Sequence, residues 1–185
     1  MNEEVTAGPT LGGREDVPIL AGERVRLRPM VESDRRALEA VLADPSVIEW
    51  WDTRGPENSA EELIAGEAGW FVWAIEADGE LAGSIQATEE NDPDYHHAGI
   101  DIFMSAPFQG RGLGTDAVRT VARWLLEERG HHRLTIDPAA ANARAIRTYE
   151  KVGFRPVGVM RRYERGVSRE FHDGLLMDML AGELR

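Results

Sequence analysis

The chain has 185 residues, 42% hydrophobic and 29% charged, and its 33 acidic against 21 basic side chains give a formal net charge of −12. That balance disfavours non-specific binding to nucleic acid or to anionic membranes and favours a cationic partner, although acidic surfaces also serve plain solubility. Cysteine is absent, which excludes disulfides, cysteine–metal sites and a cysteine acyl-enzyme; no apolar run approaches membrane-spanning length, so a cytoplasmic protein is the expectation.

Met1–Pro18 holds Gly8, Pro9, Gly12, Gly13 and Pro18 among few large apolar residues and reads as a flexible arm. It has no basic start followed by an apolar block, so it is not a signal peptide. Residues 19–185 read as one domain. Val25 and Leu27 alternate with Arg24, Arg26 and Arg28, which predicts a half-buried strand over Ile19–Arg28. Ser33 is placed to cap a helix carrying Leu38, Val41 and Leu42. Asp44-Pro45 opens a second helix bearing Val47, Ile48, Trp50 and Trp51. Ser59-Ala60-Glu61-Glu62 fits a capping box for a third. Trp70–Ile75 and Leu81–Thr88 read as strands joined through the hairpin signal Asp78-Gly79, and Glu89–Asp94 as an acidic loop.

Gly99–Arg129 is the stretch around which the rest is organised. Ile100, Ile102 and Met104 alternate with Asp101 and Phe103 in a strand that Pro107 ends. Gln109-Gly110-Arg111-Gly112-Leu113-Gly114 then turns the chain into a helix with Ala117, Val118, Val121, Ala122, Leu125 and Leu126 on one stripe. Glycines at alternate positions deliver bare amides at a helix start, which suits a pyrophosphate. No Gly-Lys-Ser/Thr is present, so this is not a P-loop, and the spacing is not G-x-G-x-x-G, which argues against a Rossmann loop. A glycine turn made for packing alone is the plainer alternative. Arg133–Asp137 reads as a short strand, Asn142–Val152 as a helix, and Val157–Tyr163 with Phe171–Leu180 as a closing hairpin around Gly166. The sum is an α/β chain with a mixed central β-sheet and helices on both faces.

Gln109-x-x-Gly112-x-Gly114, followed by Asn142, Tyr149 and Gly153-Phe154, resembles the acetyl-CoA signature of the GNAT superfamily of N-acetyltransferases. Three stretches make the chain similar to the aminoglycoside 6'-N-acetyltransferases in particular: Val47-Ile48-Glu49-Trp50-Trp51, Gly99-Ile100-Asp101, and Asp137-Pro138 leading into Asn142-x-x-Ala145-Ile146-Arg147-x-Tyr149-Glu150-Lys151-x-Gly153-Phe154. The similarity runs from Arg24 to Leu180. Two features depart from it. The loop Glu89–Tyr95 is shorter and lacks a second tryptophan pair, and Asp173 falls out of register with a substrate-binding Asp of those enzymes.

The resemblance implies acetyl-CoA as co-substrate, cradled by Gln109, Gly110, Arg111, Gly112, Leu113, Gly114 and Thr115. Arg111 would add charge at the phosphates, or is a solvated surface arginine. Asn142 would hydrogen-bond the pantetheine arm, or is a helix N-cap. Tyr149 would protonate the departing thiolate, or is a core residue. Asp101, a charge inside the central strand, is the candidate base. Asp137 is a second substrate carboxylate or a helix cap, and a backbone N–H near Phe103 is the candidate oxyanion donor. Trp50 and Trp51 would wall the acceptor pocket, with Glu49, Asp52, Glu89, Glu90, Asp92 and Asp94 available for cationic groups.

His96-His97 and His131-His132 are adjacent pairs that chelate poorly, so no metal is expected. The expected partner is a small cationic amine, with no nucleic acid and no membrane, and the chain is a monomer or a homodimer. The leading expectation is direct acetyl transfer, in a ternary complex, to an aminoglycoside or similar polycationic amino-sugar. A GNAT enzyme for protein N-termini or polyamines is the alternative, and a non-catalytic acyl-CoA-binding module a second.

Overall fold

Strand β3 (Trp70–Ala77) separates the two cores of the molecule. Phe71, Trp73 and Ile75 face one apolar cluster and Val72 and Ala74 the other, as the period of two along a strand requires. In the computed structural model, which describes residues 17–51 and 54–185, β3 belongs to an eight-stranded sheet of order β1-β2-β3-β4-β5-β6-β8-β7. The other strands are β1 (Leu20–Ala21), β2 (Arg26–Pro29), β4 (Glu80–Glu90), β5 (His97–Met104), β6 (Arg133–Ile136), β7 (Arg155–Arg165) and β8 (Phe171–Leu180). All neighbours pair antiparallel except β5 and β6.

Helices cover both faces. α4 (Leu113–Glu127) and α5 (Ala143–Val152) pack on one side, where Leu113, Ala117, Val121 and Leu125 meet Trp73, Ile85 and Leu134. Trp124 closes this core with edge-on contacts to Phe71 and Trp73. α1 (Arg35–Leu42), α2 (Pro45–Ile48) and α3 (Pro56–Ala65) pack on the other, burying Leu38, Val41, Leu42, Val47, Ala60 and Leu63 against Val72 and Phe103. Among the described residues no helix is long and apolar enough to cross a membrane. The arm expected over Met1–Pro18 lies outside the described residues as far as position 16.

Several local expectations are corrected. Ile19–Arg28 is not one strand but two short ones joined by a bend. The bend exists because Asp116, buried near the start of α4, accepts hydrogen bonds from the backbone N–H groups of Glu23, Arg24 and Val25 at 3.2, 2.8 and 3.1 Å. Asp34, not Ser33, organises the entry to α1: its carboxylate accepts from Val31 N at 2.9 Å and pairs with Arg28 at 2.7 Å. α3 begins at Pro56, not at Ser59, because proline suits the first helical position; Ser59 lies buried within the helix. Trp50 and Trp51 follow α2 rather than riding on it, since the helix ends at Ile48. Glu89 is not in a loop but near the end of β4, buried in an ion pair.

The Asp44 cap is as the sequence reads, its carboxylate accepting from Ser46 N at 2.9 Å. The β3–β4 hairpin turns at Asp78 and Gly79, with φ of 54° and 83°.

Candidate active site

The parallel pair β5–β6 joins only at Ala98–Leu134 and Gly99–Thr135. Beyond it the strands part: β5 continues along β4 as far as Met104, while β6 ends at Ile136 against β8. A cavity of about 690 Å³ opens in this fork. Ile102 and Phe103 of the central strand line it, with Asp101 on one arm and Asp137 on the other.

The glycine turn forms one end of the cavity through Gln109, Gly110, Gly112, Gly114 and Thr115. Gly110 and Gly112 have φ of 71° and 82°, a left-handed backbone that glycine adopts without strain. Gly112 is the N-cap of α4 and no side chain caps the helix there, so the first amides of a fifteen-residue helix stay available. The side chain of Gln109 is already engaged. It donates to Ser46 Oγ at 3.0 Å and to the Met104 carbonyl at 2.6 Å, and it accepts from Arg144. Arg111 and Leu113 are not on the cavity wall. Arg111 pairs with Asp78 at 2.5 Å, and its carbonyl accepts from the Arg24 guanidinium; Leu113 is a core residue.

α5 forms a second wall. Asn142 caps it, its Oδ1 accepting from Ala145 N at 3.1 Å, and also borders the cavity. Arg144, Arg147 and Lys151 bring positive charge along the same wall. Tyr149 is only 6% exposed, yet it reaches the cavity. Burial, then the charges of Asp101 and Asp137, push its phenol well above the ordinary value, so it remains a neutral O–H donor.

Asp101 has its pKa raised to about 7, first by burial and then by the negative charges of Asp137 and Glu164. A carboxyl so placed exchanges its proton near neutral pH. The carboxylate of Asp137 accepts a hydrogen bond from the Tyr163 phenol, which raises that phenol to about 12. Burial also pushes Glu164 up; the nearby His172 opposes the shift and Asp137 adds to it.

Trp50 and Trp51 complete the opposite wall, Trp51 lying 4.7 Å from Phe103 between ring centroids. A second cavity of about 420 Å³ adjoins this wall, bordered by Glu62, Glu67 and Trp70, and shares Trp51, Asp101 and Glu164 with the first.

The structure thus brings Asp101, Phe103, Gln109, Gly110, Gly112, Gly114, Thr115, Asp137, Asn142, Tyr149, Trp50 and Trp51 to one cavity. It leaves most of the other acids elsewhere. Glu49, Glu90, Asp92 and Asp94 are exposed away from both cavities, and Asp52 lies outside the described residues. Glu89 accepts from Arg129 and from His131, each at 2.8 Å. Asp173 accepts from Arg162 N at 2.8 Å and shapes the β7 bulge. His131 is buried on Glu89 and stacked on His96; among the described residues no group of three side chains is arranged to hold a metal.

Tyr163, Glu164, Glu62 and Glu67 are not legible as site residues in the sequence, where Glu62 reads as a capping-box member and Tyr163 as the end of a strand. Arg-Arg-Tyr-Glu-Arg in an edge strand looks solvated. The one available signal was Gly174 in the opposing strand, where an added Cβ would lie 2.9 Å from the Tyr163 ring.

The sequence model of the acetyltransferase (GNAT) domain family matches residues 24–155. Over 162 residues the chain is 31% identical to an aminoglycoside N(6')-acetyltransferase type 1 of Klebsiella pneumoniae, covering 76% of this chain and 78% of that protein. It is 25% identical over 158 residues to the spermidine N(1)-acetyltransferase of Escherichia coli strain K12, covering 83% and 84% of the two. A solved structure of AAC(6')-Ib in complex with paromomycin and acetyl-CoA matches with a TM-score of 0.69 at 25% identity, covering 85% of this chain and 94% of that one.

Proposed function

The chain belongs to the GNAT family of acetyltransferases, and from that premise we propose that it moves the acetyl group of acetyl-CoA to an amine of an aminoglycoside or similar polycationic amino-sugar. Acetyl-CoA is the co-substrate of the family and supplies an activated acetyl thioester. The residues present fit it. The left-handed turn at Gly110 and Gly112 and the uncapped start of α4 suit a pyrophosphate, while Arg144, Arg147 and Lys151 offer countercharge along the same cavity. Gln109 acts by holding the turn, since its side chain is spent on Ser46, Met104 and Arg144.

Asp101 takes the proton from the acceptor's ammonium, directly or through water. Asp137, held by Tyr163, attracts and orients the same cationic substrate. A backbone N–H of β5 near Phe103 donates to the acetyl oxygen as negative charge develops there. Tyr149 gives its proton to the departing sulfur and is restored by the second proton that the acceptor nitrogen releases as the amide forms. Transfer is direct, with both substrates bound together, since the chain has no cysteine to carry the acetyl group.

The observation that carries this reading is the meeting of Asp101, with its pKa near 7, and Tyr149, with its proton retained, at one cavity. The 25% identity to a spermidine acetyltransferase favours a second reading, a polyamine acceptor. The test is thiol release from acetyl-CoA against aminoglycosides, polyamines and N-terminal peptides. Saturable turnover with an aminoglycoside that is largely lost in Asp101→Asn supports the first reading. Turnover with polyamines or peptides alone discards the acceptor assignment.

A further inference from the structure

The acids and bases around the larger cavity are segregated. Arg144, Arg147 and Lys151 all stand on α5, on the side of the glycine turn. The acids stand at the fork and beyond it. Elsewhere in the chain, shielded acids have strong local partners: Asp34 has Arg28, Glu89 has Arg129 and Asp178 has Arg133. Glu164 does not. Its nearest basic side chain is His172, with Nε2 3.9 Å from Oε2, beyond hydrogen-bond reach. Its side chain keeps 47% of its surface exposed, and it borders both cavities, as do Asp101 and Trp51. The second cavity adds Glu67 and the aromatic wall of Trp70, while Glu62 there is paired with Arg54. A ligand reaching across this partition meets the carboxylates of Glu164 and Glu67, neither of them paired with an arginine or lysine among the described residues.

We infer that Glu164 is a specificity-determining residue, and that it receives a second ammonium group of an acceptor whose body extends from the fork into the smaller cavity. The inference rests on the reading of Asp101 as the base in acetyl transfer. It commits the acceptor to at least two cationic amines, one presented to Asp101 and one to Glu164, with the apolar body of the molecule against Trp51 and Trp70. A monoamine satisfies only the first contact. Glu164 does not itself take the proton, but its charge also helps hold up the pKa of Asp101, so its removal is read at about pH 8.5, above that titration, where it acts on acceptor affinity.

The experiment compares wild type, Glu164→Gln and Glu164→Asp with glucosamine, which carries one amine, and with neamine and spermidine, which carry several. In Glu164→Gln the KM for the better polyamine acceptor is expected to rise about tenfold or more, the loss of one charge-assisted contact. At about pH 8.5, where Asp101 is ionised in both proteins, its kcat, the KM for acetyl-CoA and any glucosamine turnover stay within about twofold, and Glu164→Asp recovers part of the affinity. An unchanged melting temperature excludes a folding defect. Equal responses of the monoamine and the polyamines, or no response to either variant, overturn the inference and leave the acetyl-transfer reading intact. A wild-type protein that binds acetyl-CoA but acetylates none of these amines overturns both.

Discussion

Asp101 and Asp137 stand at matching positions on the two arms of a fork, each two residues beyond Gly99–Thr135, the last pair that joins β5 to β6. The parallel register therefore sets two carboxylates opposite each other where the sheet opens. Like charges brought together in a shielded cleft oppose each other's ionisation. The effect is seen on Asp101, whose pKa is raised first by burial and then by the charges of Asp137 and Glu164, while the Tyr163 phenol faces Asp137.

The acid limb of the reaction follows. Asp101, the proposed base, has a pKa of about 7 and so is protonated below that pH and free above it. The second-order rate constant kcat/KM for the acceptor is expected to climb through pH 7 and level off above it, and Asp101→Asn should lose at least about a hundredfold. The same shift bears on folding. A carboxyl raised from 3.8 to about 7 costs stability fully above pH 7 and not at all below the unfolded value. Asp101→Asn is expected to melt higher than wild type at pH 8, with the gap closing as the pH falls towards 4. A lower melting point at pH 8 contradicts the assignment.

Tyr149→Phe removes the one buried hydroxyl that faces the cavity from α5. The phenyl ring keeps the packing against Phe154 and the fold should be unaffected. The expected result is a fall in kcat of about a hundredfold or more with acetyl-CoA affinity unchanged, read by steady-state kinetics and by cofactor titration. A kcat within twofold of wild type removes the residue from the chemistry.

Gly174→Ala tests the hold on Asp137 from a distance. The added methyl would fall 2.9 Å from Tyr163 Cδ1 and 3.2 Å from Met160 Cε, so the ring must move. Displacing it breaks the hydrogen bond to Asp137 without touching either carboxylate. Acceptor kcat/KM is expected to fall about tenfold, roughly the worth of one hydrogen bond to a charged group, while KM for acetyl-CoA holds. Tyr163→Phe should reproduce the effect; an effect in the alanine variant alone attributes it to the strand instead.

Glu89 is structural, and its prediction concerns stability. Burial alone would raise its pKa, but hydrogen bonds from Arg129 and His131 prevail and lower it to about 2. The stabilisation is present above the ordinary value of 4.5 and is lost as pH falls towards 2. Glu89→Ala at neutral pH leaves Arg129 and His131 without their shared acceptor and should cost about 3 kcal/mol or more, measurable in urea. A loss under about 1 kcal/mol would mean the cluster is better solvated than its burial indicates.

The elements legible in the sequence are those whose signals are contiguous. Leu113, Ala117, Val121 and Leu125 mark α4 by period alone, and Asp78-Gly79 marks its hairpin by turn chemistry. Expectations failed where a distant partner outbid a local preference. Ser33 lost the entry of α1 to Asp34 because Arg28, on β2, already held that carboxylate in place. The strand over Ile19–Arg28 broke because Asp116, more than ninety residues away, gathered the amides of the bend.

The candidate site divides in the same way. By itself the sequence determined the kind of fold, the glycine turn at the start of α4, and a helix that carries Asn142 and Tyr149 at fixed spacing, because backbone conformation and helical period are local properties of neighbouring residues. Only the tertiary structure decided that β5 and β6 part after Gly99–Thr135, that Asp101 consequently faces Asp137, and that Tyr163 and Glu164 of an exposed edge strand reach the same cavity. Strand order and register are set by pairings between segments far apart in the chain, and no local pattern encodes which charges those pairings will bring together.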